Sequence, residues 1–228
     1  MTNARPRVVA LVAARNEAAT IGEVVRSLVR IPAVGEVWVA ADGSNDGTPR
    51  LAAEAGARVI TSAACHGKGG ALEALLDRIA TADVYLLIDG DVEGTGGAAV
   101  ALLEPVLADR ADLTIGRLPA LAGGGFGLVK RTSRALIATG GGFVAAEPLS
   151  GQRAVTREAL QACRPLAGGF GVETAMTLDA ARLGLRIEEV PVAMSHRATG
   201  RGAAGFAHRA GQGLDILRAA LPRLVGWR

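Results

Sequence analysis

The chain has 228 residues, half of them apolar, with 31 glycines, 3% aromatics and a formal net charge of +3. It can fill one large core, and its two cysteines, Cys65 and Cys163, lie too far apart for a disulfide framework or a zinc site. No apolar run reaches the roughly 18 residues of a membrane span, no export signal is visible, and aromatics this sparse argue against nucleic acid as a partner. A cytoplasmic protein with one domain over residues 1–228 is expected.

Residues 7–14 read as a buried strand, and Thr20 follows as the N-cap of an amphipathic helix carrying Ile21, Val24, Val25, Leu28 and Val29. Residues 36–41 form the next strand, 42–47 a polar loop, and Thr48-Pro49 a helix start with proline at its first position. A strand at 58–61, a helix at 69–80, a strand at 84–88 and a helix at 98–108 continue the alternation, which winds into a parallel sheet. Residues 112–116 add a strand. Two glycine triplets, 123–125 and 140–142, bracket a helix at 126–139 and read either as hinges or as permissive helix ends. A helix at 172–183 closed by Gly184, a strand at 186–192 and a terminal amphipathic helix at 204–221 complete a sheet of six or seven strands.

The chemistry concentrates at Leu86-Leu87-Ile88-Asp89-Gly90-Asp91, an apolar run that ends in two carboxylates. Ligands bind at the carboxyl ends of parallel strands, and two acids there suit Mg²⁺ or Mn²⁺, hard cations that share oxygen ligands with a diphosphate. An ordinary Asp-Gly turn is the alternative. Three further loops fall at the same edge: Ala14 to Glu17, Asp42 to Thr48, and His66-Gly67-Lys68-Gly69-Gly70. Lys68, between glycines, can approach a phosphate or a nucleobase, whereas His66 has no metal-binding companion and reads as a loop residue.

The segment from Ser195 onward holds Arg197, Arg201, Arg209, Arg218, Arg223 and Arg228 against Asp215 alone. Such a tail suits a solvated helix face, a phosphate-binding element or anionic lipid headgroups. The run Ser195 to Arg201 offers the cations that a departing nucleoside diphosphate needs.

These loops, in this order, resemble the nucleotide-sugar half of family 2 glycosyltransferases, with Asn16-Glu17, the D-G-S-x-D-G-T loop at 42–48, the G-K-G turn and the D-x-D at 89–91, over residues 1–95. Residues 96–228 look like that family's acceptor side, through Pro148-Leu149-Ser150-Gly151-Gln152-Arg153, Gly169-Phe170-Gly171-Val172-Glu173 and Glu189-Val190-Pro191-Val192. With Ser195-His196-Arg197, this half is also similar to glucosyl-3-phosphoglycerate synthases. The resemblance implies an α/β GT-A fold, a single Rossmann-like, mostly parallel sheet flanked by helices. It further implies metal-dependent transfer of a sugar from a nucleoside diphosphate, UDP above all, to a small-molecule or polyprenyl-phosphate acceptor.

By the same resemblance Ala13, Arg15, Glu17, Asp42, Lys68, Asp89, Gly90, Ser150, Gly151, Arg197 and Arg201 bind the nucleotide sugar, with Asp42 facing a uracil-like edge. Asp91 and His196 hold Mn²⁺ or Mg²⁺. Glu173, with Asp91 the catalytic candidate, either deprotonates the acceptor or positions the sugar. One departure stands out: the family commonly has two acids before this Gly-Ser, and here the first is Ala41. Peripheral membrane contact, at the inner face of the membrane, and homodimerisation are left open. Two other classes share parts of this pattern. A sugar-nucleotide nucleotidyltransferase would begin with a glycine-rich L-x-G-G loop, where Val12 to Glu17 stands instead; a silent nucleotide-sugar-binding protein would lose the acids that Asp89, Asp91 and Glu173 retain.

Overall fold

The computed structural model describes residues 5–93, 96–119, 127–196 and 203–226. The first half alternates strand and helix: β1 (Val8–Ala14), α1 (Ile21–Val29), β2 (Val34–Asp42), α2 (Thr48–Glu54), β3 (Arg58–Ser62), α3 (Gly67–Leu76) and β4 (Val84–Asp89). The second half holds β5 (Val92–Glu93), α4 (Val100–Leu107), β6 (Leu113–Arg117), α5 (Gly127–Gly141), β7 (Arg153–Thr156) and α6 (Arg157–Ala162). It ends with α7 (Val172–Arg182), β8 (Ile187–Pro191), β9 (Ser195–His196) and α8 (Ala203–Leu224).

Among the described residues one seven-stranded sheet runs in the order β3-β2-β1-β4-β7-β6-β8, with β5 and β9 forming a separate ribbon. β1 lies parallel between β2 and β4, so both its faces are covered and its sequence is apolar throughout. Alternate side chains serve opposite faces. Val8, Ala10 and Val12 join Ile21, Val25 and Leu28 of α1 and Leu102 of α4, while Val9 and Leu11 meet Leu72 and Leu75 of α3 and Met176 of α7. A third cluster, Ile137, Ala145, Leu178 and Ala220, binds α5, α7 and α8 together.

The architecture is the expected α/β sheet, mostly parallel, with one reversal that the alternation does not signal. β7 runs antiparallel to both β4 and β6, where the sequence reading sees only a pocket-lining block. It begins with arginine and offers too few apolar residues to stand out as a strand.

Two local expectations change. Thr20 makes no side-chain cap on α1; its hydroxyl donates instead to the Gly90 carbonyl at 2.8 Å, tying the loop after β1 to the turn after β4. Gly140 and Gly141 lie inside α5 rather than at a hinge. A Cβ there would come within 2.3 Å of Leu224 Cδ2 and 2.6 Å of Ala181 Cβ, so these glycines permit close helix packing. Gly123 to Gly125 lie outside the described residues.

Candidate active site

The loops after β1, β2 and β4 meet at the carboxyl edge. Asn16 adopts a left-handed conformation, φ 56°, which asparagine tolerates better than most residues. Its Oδ1 accepts from the Asn45 amide at 3.0 Å, and its own amide donates to Ser44 Oγ at 3.1 Å. The Glu17 amide donates to Thr48 Oγ1 at 2.8 Å, so Asn16-Glu17 and the 42–48 loop are zipped into one surface. Asp46 belongs to the turn: hydrogen bonds from the Thr48 hydroxyl and amide hold its carboxyl below the ordinary range.

Asp42 is buried, and its carboxylate is already engaged. Oδ2 accepts from the His66 and Gly67 amides at 2.7 and 2.9 Å, and Oδ1 lies 3.0 Å from His66 Nδ1. The residue expected on the nucleobase therefore caps the start of α3, and His66, read as a loop residue, is its partner. The G-K-G turn also has a packing reason beyond clearing space around Lys68. Gly67 has φ +72°, and a Cβ on Gly69 would lie 1.8 Å from the Ala167 carbonyl oxygen.

α3 is anchored at its other side as well. Glu73 accepts from the Leu166 amide at 2.6 Å and from Arg164 Nε at 2.8 Å. The chain then passes through a 3₁₀ turn, Gly169–Gly171, into α7.

Lys68 links the two halves. Its ammonium bridges the carboxylates of Asp89, at the end of β4, and Glu173, at the start of α7, the latter at 2.6 Å. Burial works against its charge, but the two carboxylates outweigh burial and raise its pKa above the ordinary lysine value. Gln152 completes the cluster: its Nε2 donates to Asp89 Oδ2 at 2.6 Å, and its Oε1 accepts from the Asp89 amide at 3.2 Å. A Cβ on Gly151 would sit 2.2 Å from Lys68 Nζ and 2.4 Å from Asp89 Oδ2, so a larger residue there would push these two side chains from their present positions. Ser150, buried beside it, contributes its carbonyl to Arg153.

Arg153 lies under this cluster at 1% exposure. Its Nε donates to the Ser150 carbonyl at 2.9 Å and its Nη1 to Thr177 Oγ1 at 3.0 Å, while Nη2 has no partner among the described residues. Burial lowers its pKa to about 10, with Glu173 opposing the shift. Sequence reasoning assigned no role to Arg153; an arginine opening the run Ala154-Val155 was the available signal.

Asp89, held by Lys68 and Gln152, turns its carboxylate toward the protein, and Asp91 is half-buried on the following turn. Antiparallel pairing of Val92 with His196 brings the latter's backbone beside the strand that follows Asp91. Among the described residues no three His, Cys, Asp or Glu side chains form a complete metal cage. A hard carboxylate at an open edge fits a cation that draws its remaining ligands from diphosphate oxygens. Ala13 and Glu17 are half-buried at this edge, Gly90 sits against Ala14, and Arg15 is exposed. Arg197 and Arg201 lie outside the described residues.

Comparison with known proteins agrees with this layout. The profile of glycosyl transferase family 2 matches residues 9–159. Glycosyltransferase AglJ of Haloferax volcanii is 33% identical over 190 residues, covering 81% of this chain and 62% of AglJ; the chain thus spans less than two thirds of that relative. Glucosyl-3-phosphoglycerate synthase of Mycobacterium tuberculosis, solved with Mg²⁺ and uridine diphosphate, superposes with a TM-score of 0.83 at 27% identity over 98% of this chain and 81% of that one. The same enzyme with Mn²⁺, UDP-glucose and phosphoglyceric acid gives 0.81 at 29% identity, with the same coverage.

Proposed function

The chain belongs to glycosyl transferase family 2, and from that premise we propose that it is a glycosyltransferase that moves a sugar from a UDP-sugar to a hydroxyl or phosphate of a phosphorylated small molecule or a polyprenyl phosphate. The observation that carries this reading is the bridge from Lys68 to Asp89 and Glu173, which joins the strand-end acid of the nucleotide half to an acid of the acceptor half. A reacting sugar must lie between a bound diphosphate and an acceptor, and this is where the two halves meet.

Ala13, Arg15, Glu17 and Asp42 line the nucleoside end, with Asp89 and Gly90 beneath the ribose and sugar. Ser150 and Gly151 shape the sugar pocket, and Gln152 holds Asp89 in a single orientation. Glu173 accepts a hydrogen bond from a hydroxyl of the sugar or of the acceptor, fixing its approach. Arg197 and Arg201 supply positive charge to the phosphates. Mn²⁺ or Mg²⁺, held by Asp91 and His196, would supply neutralisation of the leaving diphosphate. Residues 1–95 act as the donor half and 96–228 as the acceptor half of one domain.

The test is a thermal-shift titration with UDP, GDP, ADP and CDP, each with and without Mn²⁺, since a ligand that binds only the native state raises apparent stability. A shift with UDP that depends on Mn²⁺ is expected. No shift with any diphosphate overturns the donor-site reading.

A further inference from the structure

Asp42 and His66 together carry an inference about base recognition that rests on the donor-site reading above. A base reader needs an accessible donor or acceptor facing the ligand, and the carboxylate of Asp42 already accepts from two amides and an imidazole, three of its roughly four acceptor positions. It is also 6% exposed, whereas the His66 side chain is 55% exposed. The neighbouring position, commonly a second acid, is Ala41, which has no polar side-chain atom to offer.

The bond between Asp42 and His66 has a chemical consequence. A carboxylate only accepts hydrogen bonds, so Nδ1 of the neutral ring carries the proton and donates to Oδ1 at 3.0 Å. Ser62 Oγ, 3.3 Å from the same nitrogen, is the longer contact. The other ring nitrogen, Nε2, is then left with its lone pair, an acceptor. We propose that Asp42 is a positioning residue and that His66 is the base reader, presenting Nε2 as an acceptor to a base whose edge carries an N–H.

Uracil and cytosine are the same size and differ at this edge. Uracil N3 carries a hydrogen and donates, whereas cytosine N3 accepts and would face another lone pair. A site with an acceptor there favours uracil, because cytosine would set its own N3 lone pair against that of Nε2. The arrangement replaces a direct contact from a carboxylate by a contact through an imidazole whose tautomer that carboxylate sets.

The experiment is titration of the intact protein with UDP and CDP in the presence of Mn²⁺, for the native chain and three variants, with the melting temperature of each measured alone. The native chain is expected to prefer UDP. His66→Ala should bring the UDP:CDP affinity ratio down by about tenfold, the scale of one lost hydrogen bond between ligand and protein. His66→Gln, whose amide oxygen can stand near the place of Nε2, should keep most of the preference. Asp42→Asn, whose amide can donate to Nδ1 and so release the proton to Nε2, should move preference toward CDP. An unchanged ratio in His66→Ala overturns the inference while leaving the donor-site reading intact; failure of the native chain to bind either nucleotide overturns both.

Discussion

Gln152 grips Asp89 from two sides, donating to its carboxylate at 2.6 Å and accepting from its backbone amide at 3.2 Å. A side chain one residue before β7 thus fixes the acid at the end of β4, across the antiparallel junction. Replacing Gln152 with Leu removes both bonds at similar volume. We expect kcat/KM to fall roughly 10- to 100-fold, the range for losing a hydrogen bond to a charged group, with the far-ultraviolet circular dichroism unchanged. Steady-state kinetics with a UDP-sugar check this; an unaltered kcat/KM would show that Asp89 needs no such support.

Gly151→Ala should act more severely. The added methyl falls on Lys68 Nζ and Asp89 Oδ2, so the ion pair must separate or the loop must move. Displacements of about 1 Å in a reacting centre cost on the order of 100-fold in rate. The same assay reads it, and a variant with full activity would mean that the bridge is dispensable.

Asp91→Ala should leave the melting temperature of the ligand-free protein nearly unchanged, because the residue sits half-exposed on a turn outside the apolar clusters. Turnover dependent on Mn²⁺ should disappear, as should the extra stabilisation that Mn²⁺ adds to bound UDP. Activity assays with and without EDTA, run beside the thermal shift, test the pair of statements together.

A pH dependence follows from the far edge of the sheet. Arg186 donates to Asp112 from its side chain and its backbone amide, and these bonds hold the Asp112 carboxyl below its ordinary 3.8. A carboxyl with a lowered folded value stabilises the protein above 3.8, and that contribution is lost as pH falls through the folded value. Arg186→Ala should therefore lower stability at pH 7 and flatten the loss that sets in as pH falls below 3.8. Urea unfolding at a series of pH values measures it; parallel curves for both proteins would contradict the assignment.

Much of the donor half was legible because its signals are local. The strand β4 runs into the acids Asp89 and Asp91, the Thr48-Pro49 pair opens α2, and α1 shows its apolar stripe. The remainder depends on contacts between segments distant in sequence. Nothing near Asp42 announces that His66 will occupy its carboxylate, since the two meet only when the loop after β3 returns to the end of β2. Arg153 is polar in sequence and buried in fact, because β7 threads between β4 and β6. The glycines of α5 signal flexibility by composition, yet serve to bring three helices into contact.

The two-ended anchoring of α3 sets a distance. Asp42 fixes its first turn, Glu73 fastens it to the segment at 164–166, and the absence of a side chain at Gly69 lets it lie directly on Ala167, a few residues before Glu173. Lys68 and Glu173 consequently ride on one braced strut rather than on two independently moving walls. The gap between the ends that receive the two substrates is fixed before either arrives, so the ordering cost of assembling it falls on folding rather than on each catalytic cycle.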